Sequence, residues 1–142
     1  MAGEADPPVL ILDSSFLIAF HNKQDVHHPA AAKVMEDLLS GKFGQALLLE
    51  YVFLEVVTVL LARRGLPVAT SVAHALLNAR EVEFVPCSEL FTEVFETFSS
   101  QKKTSLSFTD AALVTVAKRQ SGTPIATFDK DFRSVEGISV VP

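Results

Sequence analysis

Cysteine is almost missing: Cys87 is the only one in 142 residues. No disulfide can close within the chain, and a thiolate zinc site is not expected. Clustered positive charge is equally scarce. No lysine or arginine run exceeds two and the formal net charge is −5, whereas stoichiometric nucleic-acid binders usually present a basic face. That argument weighs less against an enzyme whose carboxylates carry divalent cations, because the ions reverse the local charge. The pairs Arg63-Arg64, Lys102-Lys103 and Lys118-Arg119 read as solvated helix ends, where cations are favoured. No uninterrupted apolar run has membrane length, so no transmembrane helix is expected. The opening MAGEADPP is acidic where a secretory signal needs positive charge, and a cytoplasmic location is expected. There is no glycine-rich phosphate loop of the Walker type, which argues against that class of nucleotide hydrolase.

What is present is apolar and alternating. With 49% apolar and 20% charged residues the chain has the material for one domain with a proper core. After a flexible leader over residues 1–7, Val9 to Leu12 reads as a strand buried on both faces. A short helix from Ser14 to Phe20 follows, then a polar loop to Pro29 and a helix from Ala30 to Leu39. In that loop the adjacent His27-His28 pair invites a metal reading, but neighbours in sequence point in different directions on a helix. Ala46 to Leu49 reads as a strand. Tyr51 to Ala62 reads as a helix apolar nearly all round, and therefore buried. Pro67 to Ala79 is helical, with proline in its first turn. Val82 to Val85 is a strand. Ser88 to Ser99 is an amphipathic helix, with Leu90, Phe91, Val94, Phe95 and Phe98 expected inward and Glu89, Glu93 and Glu96 outward. The stretch Thr104 to Gln120 carries a second apolar helix, FTDAALVTVAKRQ, and strands follow at Ile125 to Phe128 and Ile138 to Val141. Strands alternating with helices imply an α/β fold: a mostly parallel sheet with helices on both faces.

Four acids interrupt this pattern. Asp13 ends the first strand, Glu55 is the only charge inside YVFLEVVTVLLA, Asp110 is the only charge of its helix before Lys118, and Asp129 follows a strand. Each has a bland explanation. Asp13 could cap the next helix, Glu55 could face solvent beside Thr58, Asp110 stands in capping-box relation to Ser107, and Asp129 could be a loop residue. Taken together they lie at strand ends or in early helical turns, positions that a doubly wound sheet brings to one crevice. Carboxylates crowded there would repel one another and raise some of their pKa values, unless a hard divalent cation intervenes. Carboxylate oxygens with water suit Mg²⁺ or Mn²⁺, and such a site can activate water against a phosphodiester.

The segments LILDSSFLIAF, LEVVTVLLARRG, LSFTDAALVTVAKR and IATFDKDF resemble, in order, the four acidic motifs of PIN-domain nucleases. The resemblance runs over nearly the whole chain, and the single-domain size is most similar to the VapC-type toxins of toxin–antitoxin pairs. It implies one domain over residues 8–142, with a five-stranded sheet of order 3-2-1-4-5 flanked by helices. The implied activity is RNA hydrolysis dependent on Mg²⁺ or Mn²⁺, by a homodimer restrained by a cognate antitoxin protein. Asp13, Glu55, Asp110 and Asp129 become the metal-binding and catalytic acids. Ser14 or Ser15 takes the small polar position after the first, and Thr127 the hydroxyl position before the last. Asp131 is the candidate to assist or replace Asp129, and Glu50 competes with Glu55 for the second motif. The alternative from another class is a PIN-like scaffold or binding subunit without activity. A haloacid-dehalogenase phosphatase would need an acid where Ser15 stands.

Overall fold

The computed structural model describes residues 9–120 and 122–142. The expected leader over residues 1–7 and the expected domain start at residue 8 lie outside the described residues. Five parallel strands form one sheet: β1 Val9–Leu12, β2 Gln45–Leu49, β3 Val82–Val85, β4 Ile125–Ala126 and β5 Val140–Val141. Their order is β3-β2-β1-β4-β5, so β1 is central, and the 3-2-1-4-5 arrangement expected from the motifs is found. The β-branched and leucine-rich composition of β1 suits that place. Leu10, Ile11 and Leu12 are wholly buried, as a parallel strand covered on both faces must be.

Between β1 and β2 run α1 Ser14–Phe20 and α2 His28–Leu39, and between β2 and β3 run α3 Glu50–Arg64 and α4 Leu66–Asn78. The return from β3 to β4 carries a 3-10 turn at Ser88–Leu90, α5 Phe91–Ser99 and α6 Phe108–Arg119. Right-handed crossovers send the first four helices to one face and the last two to the other. The packing agrees, since α1 packs on α2 and α3, α3 on α4, and α5 on α6. At the far end of α3 the exposed Arg64 donates from Nη1 to the carbonyl of His21 at 2.7 Å, tying α3 to the end of α1. The other basic pairs are exposed as expected.

Three expectations are corrected. First, α3 is not buried all round. Val52, Val56 and Leu60 form its inner stripe, while Leu54 and Leu61 are exposed. A helix lying over one sheet face can bury only the side it turns to its neighbours.

Second, Phe91, Phe95 and Phe98 of α5 are exposed, leaving Leu90 and Val94 as the buried pair. Here α5 packs chiefly against α6, and the Thr97–Thr115 hydroxyl contact at 2.8 Å marks the seam. Phe91 and Phe98 instead gather around the Phe108 ring at 5.4 and 5.5 Å between centroids.

Third, β4 and β5 are shorter than the expected runs Ile125 to Phe128 and Ile138 to Val141, whereas α6 starts at Phe108 as FTDAALVTVAKRQ implies, after a loop that follows α5. Gln101 holds the intervening loop, accepting from Thr104 Oγ1 and Leu106 N and donating to the carbonyls of Phe98 and Leu106.

The contrast between α5 and the central sheet is measurable. Leu48→Ala, at a wholly buried position, is expected to lower unfolding free energy by about 3 kcal/mol. Phe95→Ala on the exposed side of α5 is expected to cost less than about 1 kcal/mol. Urea denaturation of both variants reads the difference.

Candidate active site

At the carboxyl end of β1 the backbone turns straight into α1, and Asp13 occupies the N-cap position in extended conformation. Its carboxylate makes no side-chain cap bond. It is turned into the fold instead, 2% exposed, and a single oxygen, Oδ2, accepts from Thr127 Oγ1 at 2.6 Å and Ser15 Oγ at 2.8 Å. Each hydroxyl also accepts a backbone N–H: Phe128 N donates to Ser15 Oγ and Asp129 N to Thr127 Oγ1, both at 3.0 Å. A hydroxyl has one proton, and both protons are committed to Asp13. The 3.1 Å approach of Ser15 Oγ to Thr127 Oγ1 is therefore the geometric result of sharing one acceptor, not a third bond.

Around this knot the other acids collect. Burial raises the Asp13 carboxyl above its ordinary value against the lowering by the Thr127 and Ser15 hydroxyls, and the charge of Glu55 adds to the rise. Asp110 stands at the third position of α6 in a complete capping box. Ser107 Oγ accepts from Asp110 N at 3.0 Å, and Asp110 Oδ2 accepts from Ser107 N at 3.3 Å. A solvated cap residue would titrate normally, yet Asp110 is pushed up to about 6, first by burial and then by the charge of Asp13, with Asp129 adding to it and the Ser107 bonds opposing. Asp129 caps the 3-10 turn Lys130–Ser134, its Oδ1 accepting from Asp131 N at 2.9 Å.

Glu55 is exposed, as is Thr58 beside it. Both line an open depression of about 380 Å³ with Tyr51, Leu54, Val59, Phe108 and Thr109. The depression reaches the first turn of α6 through Phe108 and Thr109, the two residues before Asp110. Of the four acids singled out in the sequence, Glu55 acts on Asp13, and Asp13 and Asp129 act on Asp110.

The remaining candidates separate. Glu50 accepts from Cys87 N at 2.9 Å and so ties the start of α3 to the segment after β3. The exposed Asp131 contributes its backbone N–H to Asp129, and its carboxylate is not among the charges acting on Asp13 or Asp110. Ser14 has no side-chain bond to Asp13, whereas Ser15 has one. The two histidines part company. His27 stacks on Phe128, and His28 stacks on Phe20 with Nδ1 donating to the Ala19 carbonyl at 3.0 Å. The Phe128 contact of His27 escaped sequence reasoning, because the partners are a hundred residues apart and neither carries a motif.

Among the described residues no three His, Cys, Asp or Glu side chains are grouped closely enough to hold a metal ion between them. What is offered is an open, all-oxygen set in which Asp13 and Asp110 each use only Oδ2 toward protein side chains or caps. That donor chemistry fits a hard cation keeping several waters, and it fits neither zinc nor copper.

Comparison with known proteins agrees with the geometry. Residues 10–138 match the family described as the PIN domain. Among solved structures the chain is similar to the Mycobacterium tuberculosis toxin VapC20, described as cleaving the sarcin-ricin loop. That likeness has a TM-score of 0.80 at 25% identity and covers 94% of this chain and 99% of the other. No curated protein matches.

The raised Asp110 carboxyl sets a pH dependence. Its ordinary value is 3.8 and its value in the fold about 6, so the fold prefers the neutral form. The resulting stability is fully present below the lower value and is lost as pH rises through the upper one. Asp110→Asn is neutral at every pH. Without metal it is expected to melt about 3 °C above wild type at neutral pH, the gap closing on acidification. Thr127→Val is expected to act oppositely, costing about 2 kcal/mol at neutral pH by removing a donor from a buried carboxylate. Thermal and urea melts across pH test both.

Proposed function

The chain belongs to the PIN domain family, and we propose that it is a divalent-metal-dependent endoribonuclease, the toxin component of a VapC-type toxin–antitoxin pair. The observation that carries the reading is the coupling of Asp13, Glu55, Asp110 and Asp129 at one sheet edge, with Asp13 and Asp110 pushed toward protonation. Uncompensated carboxylates so placed weaken the fold. Their presence is accounted for if a cation is meant to lie among them.

In this reading Asp13, Asp110 and Asp129 hold the principal Mg²⁺ or Mn²⁺, and Glu55 binds a second ion or orients the attacking water. A bound ion of this kind lowers the pKa of water and neutralises charge on a phosphodiester under in-line attack. The protein's own part is to hold carboxylate oxygens in place. Ser15 and Thr127 fix the Asp13 rotamer through Oδ2, and the capping box fixes Asp110. Glu55, on the exposed side of α3, is placed to meet solvent and substrate together.

RNA is the proposed substrate, and the sarcin-ricin loop is the RNA to try first because the similar toxin VapC20 is described as cleaving it. A cognate antitoxin and a homodimer belong to the same proposal. Exposed Leu54, Leu61, Leu66 and Leu77 on α3 and α4 supply apolar surface for such contacts. No helix among the described residues is long and apolar enough to cross a membrane, and the cytoplasm is the proposed location. The scaffold alternative draws on the acidic net charge of −5 and is distinguished by activity.

Wild type with Mn²⁺ is expected to cleave RNA, and EDTA to stop it. Asp13→Asn is expected to lower the rate by about a thousandfold, roughly 4 kcal/mol of transition-state stabilisation. Mn²⁺ should raise the melting temperature of wild type well above that of Asp110→Asn, since a ligand binding only the native state stabilises by mass action. Cleavage persisting in excess EDTA would overturn the mechanism, and an inert, metal-indifferent wild type would leave the scaffold reading in its place.

A further inference from the structure

Three rings form a ladder that starts in the core and ends in solvent. Phe16, wholly buried in the first turn of α1, stacks on Phe128 at 6.3 Å between centroids and 19° between planes. Phe128 is half-buried, and His27 stacks on it at 4.4 Å and 13°. His27 is exposed, and no further ring among the described residues stacks on it.

Phe128 stands between Thr127, which holds the Asp13 carboxylate, and Asp129. Its own N–H is bonded to Ser15 Oγ. The ladder is thus anchored in the same knot as the acids.

The outer rung is not a loose side chain. Asp25 organises the loop that carries it, its Oδ1 accepting from His27 N at 2.8 Å and its carbonyl from His28 N at 3.0 Å. Asn22 accepts from Gln24 N through Oδ1 and from Asp25 N through its carbonyl. A flat ring pre-positioned with one face covered by Phe128 loses little entropy when another flat group joins the stack.

Resting on the ribonuclease reading above, we propose that His27, backed by Phe128, is a stacking platform for an unpaired base of the RNA next to the scissile phosphate. Every base has a π-face, so the platform recognises an extruded or single-stranded nucleotide rather than a particular letter. It also gives an acidic protein a way to hold RNA without a basic groove. The platform needs no charge on His27, only its ring.

The test uses an RNA that wild type cleaves with Mn²⁺, together with versions carrying one abasic nucleotide on either side of the cut. His27→Ala is expected to raise KM about tenfold, with a smaller effect on kcat. Removing the base at one flanking position should penalise wild type similarly and barely affect His27→Ala, the non-additivity expected of partners in contact.

His27→Trp should restore KM. The chain contains no tryptophan, so that single indole should be quenched when the intact oligonucleotide binds and not when the abasic one does. A merely structural ring would move the melting temperature without this base-dependent split. If His27→Ala cleaves with unchanged KM, or the abasic penalty survives in it, the platform is refuted while the nuclease stands. If wild type cleaves no RNA, both fall together.

Discussion

A carboxylate buried at the end of a central strand must be held by donors, and the satisfaction of Asp13 governs much else here. One partner follows β1 in the chain and the other comes from the strand beside it: Ser15, the second residue of α1, and Thr127 just past β4. β1 and β4 are in register through Ile11 with Ile125 and Leu12 with Ala126, and Asp13 N donates to the Ala126 carbonyl at 3.0 Å. The ladder bonds therefore end where the side-chain bonds begin. Among the described residues every fully buried side-chain nitrogen or oxygen has a partner. Thr127 lies just past β4, where its N–H still donates to the Val141 carbonyl at 2.9 Å while its hydroxyl reaches Asp13 Oδ2.

The same economy appears at Asp110. A capping box favours Glu or Gln at its third position. The shorter Asp closes the box through Oδ2 and keeps its carboxyl near the helix start, where the charges of Asp13 and Asp129 act on it. One residue thus begins α6 and joins the acidic group. Capping stabilises the helix, whereas burial among like charges works against the fold. Such local conflicts are characteristic of sites kept for chemistry.

The strands and the acids were legible because each leaves a local signal. A short β-branched run that stops at an acid marks both a buried strand and its carboxyl end, and alternation with helices leads to a parallel sheet. The order of that sheet came from the motifs as a set, since no single segment encodes its neighbours. What stayed hidden is long-range. The choice between Ser14 and Ser15 depends on which hydroxyl meets Thr127, more than a hundred residues away. The dispersal of Phe91, Phe95 and Phe98 depends on how little α6 can cover of α5. The role of Gln101 in holding the loop between α5 and α6 rests on four hydrogen bonds that leave no periodic trace.

Glu55 shows why reading residues one at a time sets false alternatives. Its place on an apolar helix suggested either a costly buried charge or an idle exposed one. It is exposed on the rim that α3 presents to solvent, and its charge still acts on Asp13. A group that must exchange protons or position water is better served by such a rim than by burial, which would suppress its charge as it does that of Asp13 and Asp110. The buried acids are suited to fixed geometry and the exposed one to traffic with solvent. In the proposed nuclease that division matches holding a cation on one side and handling the attacking water on the other.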